Sequence, residues 1–280
     1  MRQSIIVSAL IASVAAQKGG GSIVSPYRKD DSGGSGPHKA SYKADPALAK
    51  HTIYSPKTPP AEPMPLIVWG EGACANQGTA FVNLLTEIAS HGYVIIANGP
   101  PGTPGSPMGS GSTTASMLTQ SIDWVAKGGD GGKYGKIDMT RIGAAGQSCG
   151  GIEALTVTMS DPRIKATGMF NSGSFSTNPN ISKVKNPIAY FLGGTGDIAY
   201  KNGLAEYKTI PATTPAILFN KDGAGHGGTY GEIQGGLFGK AGVAFFEYVF
   251  RNDTKAKSAI FDKSSPLIAG GFEIQTKGWK

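Results

Sequence analysis

The sequence predicts an α/β fold: a doubly wound, mostly parallel sheet with helices on both faces and no large cap domain. Three observations carry this. Continuous apolar runs end near Trp69, Asn98, Gly146, Asn171, Leu192 and Phe219, as strands buried on both faces do. Helix-like stretches lie among them, at Thr79–Ser90, Ser116–Lys127, Gly151–Met159 and, last, Gly239–Arg251. That alternation implies parallel pairing through crossover helices. The third observation is a turn of unusual chemistry, Gly146-Gln147-Ser148-Cys149-Gly150, set between a strand-like and a helix-like run.

In chain order, the first segment stands outside the fold. Arg2 precedes the apolar run Ile5-Ile6-Val7-Ser8-Ala9-Leu10-Ile11-Ala12, and Val14-Ala15-Ala16 follows as an A-x-A-like cleavage site. The run is too short to span a bilayer, so residues 1–16 read as a signal peptide and the product as secreted and extracellular. Residues 17–36 are rich in Gly, Ser, Lys and Asp with almost no core-forming residue, which predicts a flexible leader. Residues 37–280 then form a single domain without internal repeats, and nothing in them is apolar enough over sufficient length to cross a membrane. His51-Thr52-Ile53-Tyr54-Ser55 alternates in polarity and reads as an antiparallel edge strand. The Pro/Gly/Ser stretch from Asn98 to Ser112 follows a strand's C-terminal end, where open α/β sheets collect ligands, and is expected to line a cleft.

The pentapeptide around Ser148 is informative through its context. A serine on a sharp turn between strand and helix has its hydroxyl pushed out at the end of the sheet. The flanking glycines leave room for the neighbouring backbone. Such an elbow draws its acid and then its histidine from downstream. Of the four histidines, only His226 follows Ser148. It lies in the glycine-rich loop Asp222-Gly223-Ala224-Gly225-His226-Gly227-Gly228, directly after the strand-like Pro215-Ala216-Ile217-Leu218-Phe219. Midway, Ile188-Ala189-Tyr190-Phe191-Leu192 opens into Gly193-Gly194-Thr195-Gly196-Asp197, placing a carboxylate at a strand end. Ser148, Asp197 and His226 are therefore the candidate nucleophile, acid and base. Asp222 competes for the acid role, although its place beside the histidine suits a turn former.

With these residues in place, the chain resembles the α/β-hydrolase superfamily, and more narrowly its secreted dienelactone-hydrolase-like, cutinase and polyester-hydrolase branch. The resemblance extends to Leu66-Ile67-Val68-Trp69-Gly70-Glu71-Gly72, to Ile88-Ala89-Ser90-His91-Gly92-Tyr93-Val94-Ile95-Ile96-Ala97-Asn98, and to Ser121-Ile122-Asp123-Trp124-Val125. It covers roughly His51 to Arg251. It implies the α/β-hydrolase fold and a serine hydrolase that cleaves carboxylic esters through an acyl-enzyme. The backbone N–H of Cys149 and a second from Glu71, Gly72 or Ala73 would form the oxyanion hole. In this fold the segments bearing Cys74 and Cys149 meet, which implies a disulfide between them in a secreted chain. Cys149 itself sits one place too late for the elbow to present it as a nucleophile.

The same triad could serve an amide, peptide or lactone, and a non-catalytic binding protein on this fold is the remaining alternative. A net charge of +7 without a Lys/Arg cluster interleaved with aromatics argues against a nucleic-acid partner. No metal-ligand spacing or phosphate loop is present, so no metal and no cofactor are expected. The expected partner is a small-molecule or polymeric ester, and the expected state a monomer. Asn180-Ile181-Ser182 and Asn252-Asp253-Thr254 match the N-glycosylation pattern.

Overall fold

The computed structural model describes residues 30–102, 112–175, 178 and 180–279. Among them, nine strands form one sheet in the order β1-β2-β4-β3-β5-β6-β7-β8-β9. The strands are β1 (Ala40–Ala44), β2 (His51–Pro56), β3 (Met64–Gly70), β4 (Val94–Asn98), β5 (Ile137–Gln147), β6 (Ile164–Phe170), β7 (Ile188–Leu192), β8 (Ala216–Asn220) and β9 (Glu273–Lys277). From β4 to β8 every pairing is parallel, and β1, β2 and β9 are antiparallel to their neighbours. The helices are α1 (Val82–Ser90), α2 (Ala115–Ala126), α3 (Cys149–Ser160), α4 (Tyr200–Thr209), α5 (Gly236–Arg251), α6 (Thr254–Phe261) and the single turn α7 (Pro266–Ala269).

Period-two alternation along the strands sorts the core onto two faces. In β3, Ile67 and Trp69 join a cluster with Leu84 and Leu85 of α1 and Phe245 and Phe246 of α5. Leu66 and Val68 face the other way, against Leu118 and Ile122 of α2 and Val157 of α3. The helices thus cover both faces. The chain leaves β3 through α1 to β4 and returns through α2 to β5 on the other side of β3. The winding direction therefore reverses at the β3/β5 pair, the place where such sheets hold ligands. On the α1/α5 face, Trp69 of β3, Phe170 of β6, Phe191 of β7 and Phe219 of β8 form a row that passes over β5, with successive centroids 5.3, 4.0 and 4.9 Å apart.

Two expectations need correction, and two strands were not foreseen. His51–Pro56 is antiparallel but is not the sheet edge, because β1 pairs outside it. β1 (ASYKA) and β9 (EIQTK) are short, polar and largely exposed, as edge strands are when they must not template a further strand. Neither shows an apolar run. The leader also does not extend to Gly36: the segment from Asp30 lies against α1. Asp30 N–H donates to Asn83 Oδ1 at 2.8 Å, Ser35 N–H to Glu87 Oε2 at 2.7 Å and Gly36 N–H to Ser90 Oγ at 2.9 Å. Polar side chains of a helix hold this segment, so counting core-forming residues cannot find it. A Cβ on Gly34 or Gly36 would collide with Ser90. The expected signal peptide and residues 17–29 lie outside the described residues. So do residues 103–111 of the loop expected to line the cleft.

Candidate active site

Ser148 is the one residue between β5 and α3. Its backbone sits at φ 53°, ψ −118°, a region that costs a non-glycine residue of order 1–3 kcal/mol and persists only where neighbours enforce it. The neighbours here are backbone. A Cβ at Gly150 would run into the Gly70 carbonyl, and one at Gly146 into Gly150 and Gly70. The Ser148 carbonyl accepts from Ser172 Oγ at 2.7 Å, and its N–H donates to Phe170 O at 3.0 Å. Glycine on both sides lets β3, β5 and α3 close on one another, and the strained serine projects at their junction.

Asp197 follows β7 through Gly193-Gly194 and is 3% exposed. Its Oδ1 accepts from His226 Nδ1 at 2.6 Å and from Ala199 N–H at 2.9 Å. Its Oδ2 accepts from Asn171 Nδ2 at 2.7 Å and from Gly193 N–H at 3.1 Å. Burial pushes this carboxyl upward, but His226 and the other donors outweigh it and hold the group below the ordinary aspartate range. An ionised carboxylate only accepts, so the proton on the imidazole sits at Nδ1. Nε2 is left as an acceptor 2.9 Å from Ser148 Oγ. Asp222 lies exposed on the same loop and packs on Gly194, away from this chain of contacts.

On the other side of Ser148, β3 runs into Glu71 and the tight turn Gly72–Cys74, where Ala73 (φ 56°) and Cys74 (φ 49°) both adopt left-handed backbone. A disulfide joins Cys74 to Cys149, the first residue of α3, with Cα atoms 5.2 Å apart. It ties the turn to a helix N-terminus, where N–H groups lack intrahelical acceptors and the dipole favours negative charge. The Glu71 side chain is fully enclosed beside the Trp69 indole. Burial, reinforced by the nearby Glu153 carboxyl, pushes its pKa well up. Behind it, Glu153 on α3 accepts from Thr113 Oγ1 at 2.9 Å and Asn98 Nδ2 at 3.0 Å, and burial raises it to about 7. Thr113 N–H in turn donates to Cys74 O at 2.8 Å, anchoring the described end of the Pro/Gly/Ser loop to the turn.

Three contributors escaped the sequence reading. Asn171 and Tyr230 support Asp197, the Tyr230 hydroxyl donating to Asn171 Oδ1. Gln147 reaches from the elbow to donate to His226 O at 3.1 Å, and its Oε1 lies close over Gly72. Beside Ser148 and His226 a small cleft of about 60 Å³ is walled by Phe175 and Ile198, 38% and 36% exposed, which leaves an apolar lip at the hydroxyl. A larger cavity of about 420 Å³ sits near Gly92 and Arg141. Its arginines already pair with Asp138 and Glu247 and with backbone carbonyls, and it lacks a nucleophile. Among the described residues, no group of three or more His, Cys, Asp or Glu side chains could hold a metal ion.

Two comparisons with known proteins bear on this geometry. The chain is 26% identical over 171 residues to Cutinase 2 of Thermobifida cellulosilytica, covering 60% of this chain and 62% of that protein. The same identity and share of this chain relate it to Cutinase cut1 of Thermobifida fusca, where the match spans 51% of the relative. The chain therefore covers less than two thirds of either relative's length. The sequence model of the PET hydrolase-like family matches residues 47–269, which takes in β2 through α7 and leaves out both edge strands. This chain belongs to the PET hydrolase-like family.

Proposed function

We propose that the protein is a secreted serine hydrolase that cleaves carboxylic esters, polymeric ones included, with Ser148 as nucleophile, His226 as base and Asp197 as acid. The observation that carries this reading is the unbroken hydrogen-bond chain Asp197–His226–Ser148 at the reversal point of the sheet. Family membership and the two cutinase relatives support the ester class.

His226 Nε2 takes the hydroxyl proton as Ser148 Oγ attacks the ester carbonyl, and Asp197 stabilises the imidazolium that results. The carbonyl oxygen becomes an oxyanion. The Cys149 N–H and a second N–H from the Glu71–Ala73 stretch face it, each such donor being worth about 3 kcal/mol in the transition state. Collapse expels the alcohol, which leaves with the proton from His226. Water, deprotonated by the same imidazole, then attacks the acyl-enzyme and restores Ser148. The lip of Phe175 and Ile198 suits an apolar acyl or aryl group. Secretion rests on the N-terminal segment and predicts a mature chain starting at Gln17. In a eukaryotic secretory pathway the exposed Asn180 and Asn252 would carry glycans.

A fluorophosphonate probe tests the core of this reading. Ser148 is expected to be the labelled residue, and folded protein that fails to label at Ser148 would overturn it. A series of p-nitrophenyl esters of rising chain length, run beside the corresponding anilides, then fixes acyl size and separates ester from amide cleavage.

A further inference from the structure

Asn171 directs its whole side chain at the residues behind Ser148. It follows the last residue of β6, is 0% exposed, and adopts φ 41°. Its own N–H donates to Phe191 O at 2.7 Å, so the strand ladder holds it while the left-handed turn swings the amide toward the end of β7. One amide nitrogen serves two acceptors: Asp197 Oδ2 at 2.7 Å and the carbonyl of Gly225, the residue before His226, at 3.0 Å. Carboxylate and carbonyl oxygens only accept, so the nitrogen end must face them. The oxygen end accepts from Tyr230, whose ring is fully buried against Phe81, Phe170 and Phe238. Both polar atoms of the Asn171 side chain are thereby assigned, and the amide has one orientation.

We infer that Asn171 is a positioning residue: its amide clamps the Asp197 carboxylate to the backbone that carries His226, and Tyr230 fixes the direction of that amide. The inference rests on the assignment of Ser148, His226 and Asp197 proposed above. Without the clamp, the acid sits on the β7 loop and the base on the β8 loop. Backbone contacts Lys221–Leu192 and Gly225–Gly193 and the Gly194 N–H to Asn220 Oδ1 bond hold the loop stems together, and the imidazole bond alone ties the Asp197 carboxylate to the base. Losing the Asn171 bonds should lower the fraction of time the imidazole is aligned to take the serine proton. That loss is expected in kcat, because Asn171, although it borders the cleft beside Ser148, is fully buried and offers a substrate no accessible surface.

The test compares Asn171→Gly, Asn171→Asp and Tyr230→Phe with the wild-type chain, using p-nitrophenyl butyrate between pH 5 and 9, below each variant's melting temperature. Glycine tolerates the left-handed backbone, so Asn171→Gly removes the amide without imposing strain. Its kcat is expected to fall 10- to 100-fold with KM within twofold. In Asn171→Asp, a protonated carboxyl still has one donor for Asp197, whereas an ionised one has none and repels it. This variant should gain a descending limb in kcat as pH rises that the wild type lacks. Tyr230→Phe keeps the ring packing and frees the amide to turn, for an expected three- to tenfold fall in kcat.

Full kcat in Asn171→Gly, or no new limb in Asn171→Asp, would overturn the inference. If Asn171→Gly does not fold, the other two variants decide it: an unchanged profile in Asn171→Asp with wild-type kcat in Tyr230→Phe is fatal. Fluorophosphonate labelling of the wild type separates the two claims. Absent labelling at Ser148 removes the underlying reading, whereas normal labelling with indifferent Asn171 variants removes the clamp alone.

Discussion

On the β7 side of Ser148, one carboxylate collects hydrogen bonds from His226, Asn171 and the N–H groups of Gly193 and Ala199. On the β3 side, a turn with two residues in left-handed backbone is held by a covalent bond from Cys74 to Cys149. The first half positions a charge, and many weak donors suit that task because each both orients the carboxylate and stabilises its ionised form. In the proposed function, the second half positions backbone N–H groups, which cannot be recruited by charge. A strained turn also persists only when its surroundings over-determine it, and a cross-link to the helix start supplies that constraint. The halves also answer to pH with opposite sign. Asp197 has its pKa lowered by folding, so its contribution to stability is present above the unfolded value of 3.8 and is lost as pH falls through the lower folded value. Glu153, behind the turn, is raised from 4.5 to about 7, so its contribution is complete below 4.5 and is lost as pH rises through 7.

The two halves meet at the serine, so Ser148→Ala should have the largest effect. Ester hydrolysis is expected to drop by about 10³- to 10⁶-fold with folding retained, and substantial turnover in pure variant protein would dissolve the comparison. On the hydrogen-bonded half, Asp197→Asn should cost about 10²- to 10⁴-fold in kcat by upsetting the imidazole tautomer. Asp222→Asn should be nearly silent; the reverse ranking would move the acid to the His226 loop. Next comes the covalent half. Opening a loop of 75 residues removes about 4.5 kcal/mol by the chain-entropy estimate, so reduction should lower the melting temperature. Below that temperature turnover should fall about tenfold as the Cys149 N–H loses its fixed spacing from the turn. Thiol alkylation followed by mass spectrometry checks that the bond was opened, and unaltered kinetics in fully reduced protein would show that packing alone holds this half.

The smallest expected effect sharpens the pH contrast. Between pH 4.5 and 7 the folded protein holds a proton on Glu153 that the unfolded chain has released, a loss of about 3 kcal/mol across that window. Glu153→Gln removes the titration, so denaturant titrations from pH 5 to 8 should give a flatter stability curve than the wild type. Equal slopes would place the alkaline sensitivity elsewhere.

Local chemistry determined a good part of this protein in advance. Gly146 and Gly150 had to be small because Gly70 and the elbow approach at backbone distance, and that requirement is written in five consecutive residues. Buried parallel strands need apolar runs, so six of the nine strands were legible that way and β2 by its alternation, and with them the loops carrying Asp197 and His226. The tertiary structure alone decided that His226 turns to Asp197 and not to its loop neighbour Asp222. It also decided that Asn171 and Tyr230, 59 residues apart, join behind the acid, and that Gln147 bridges the His226 and Gly72 loops. Edge strands β1 and β9 and the packed Asp30–Gly36 segment were hidden for a related reason. They are held by hydrogen bonds and carry mostly polar, exposed side chains, which leave no apolar run in the chain. Strands buried on both faces, by contrast, are continuous apolar runs that can be read one strand at a time.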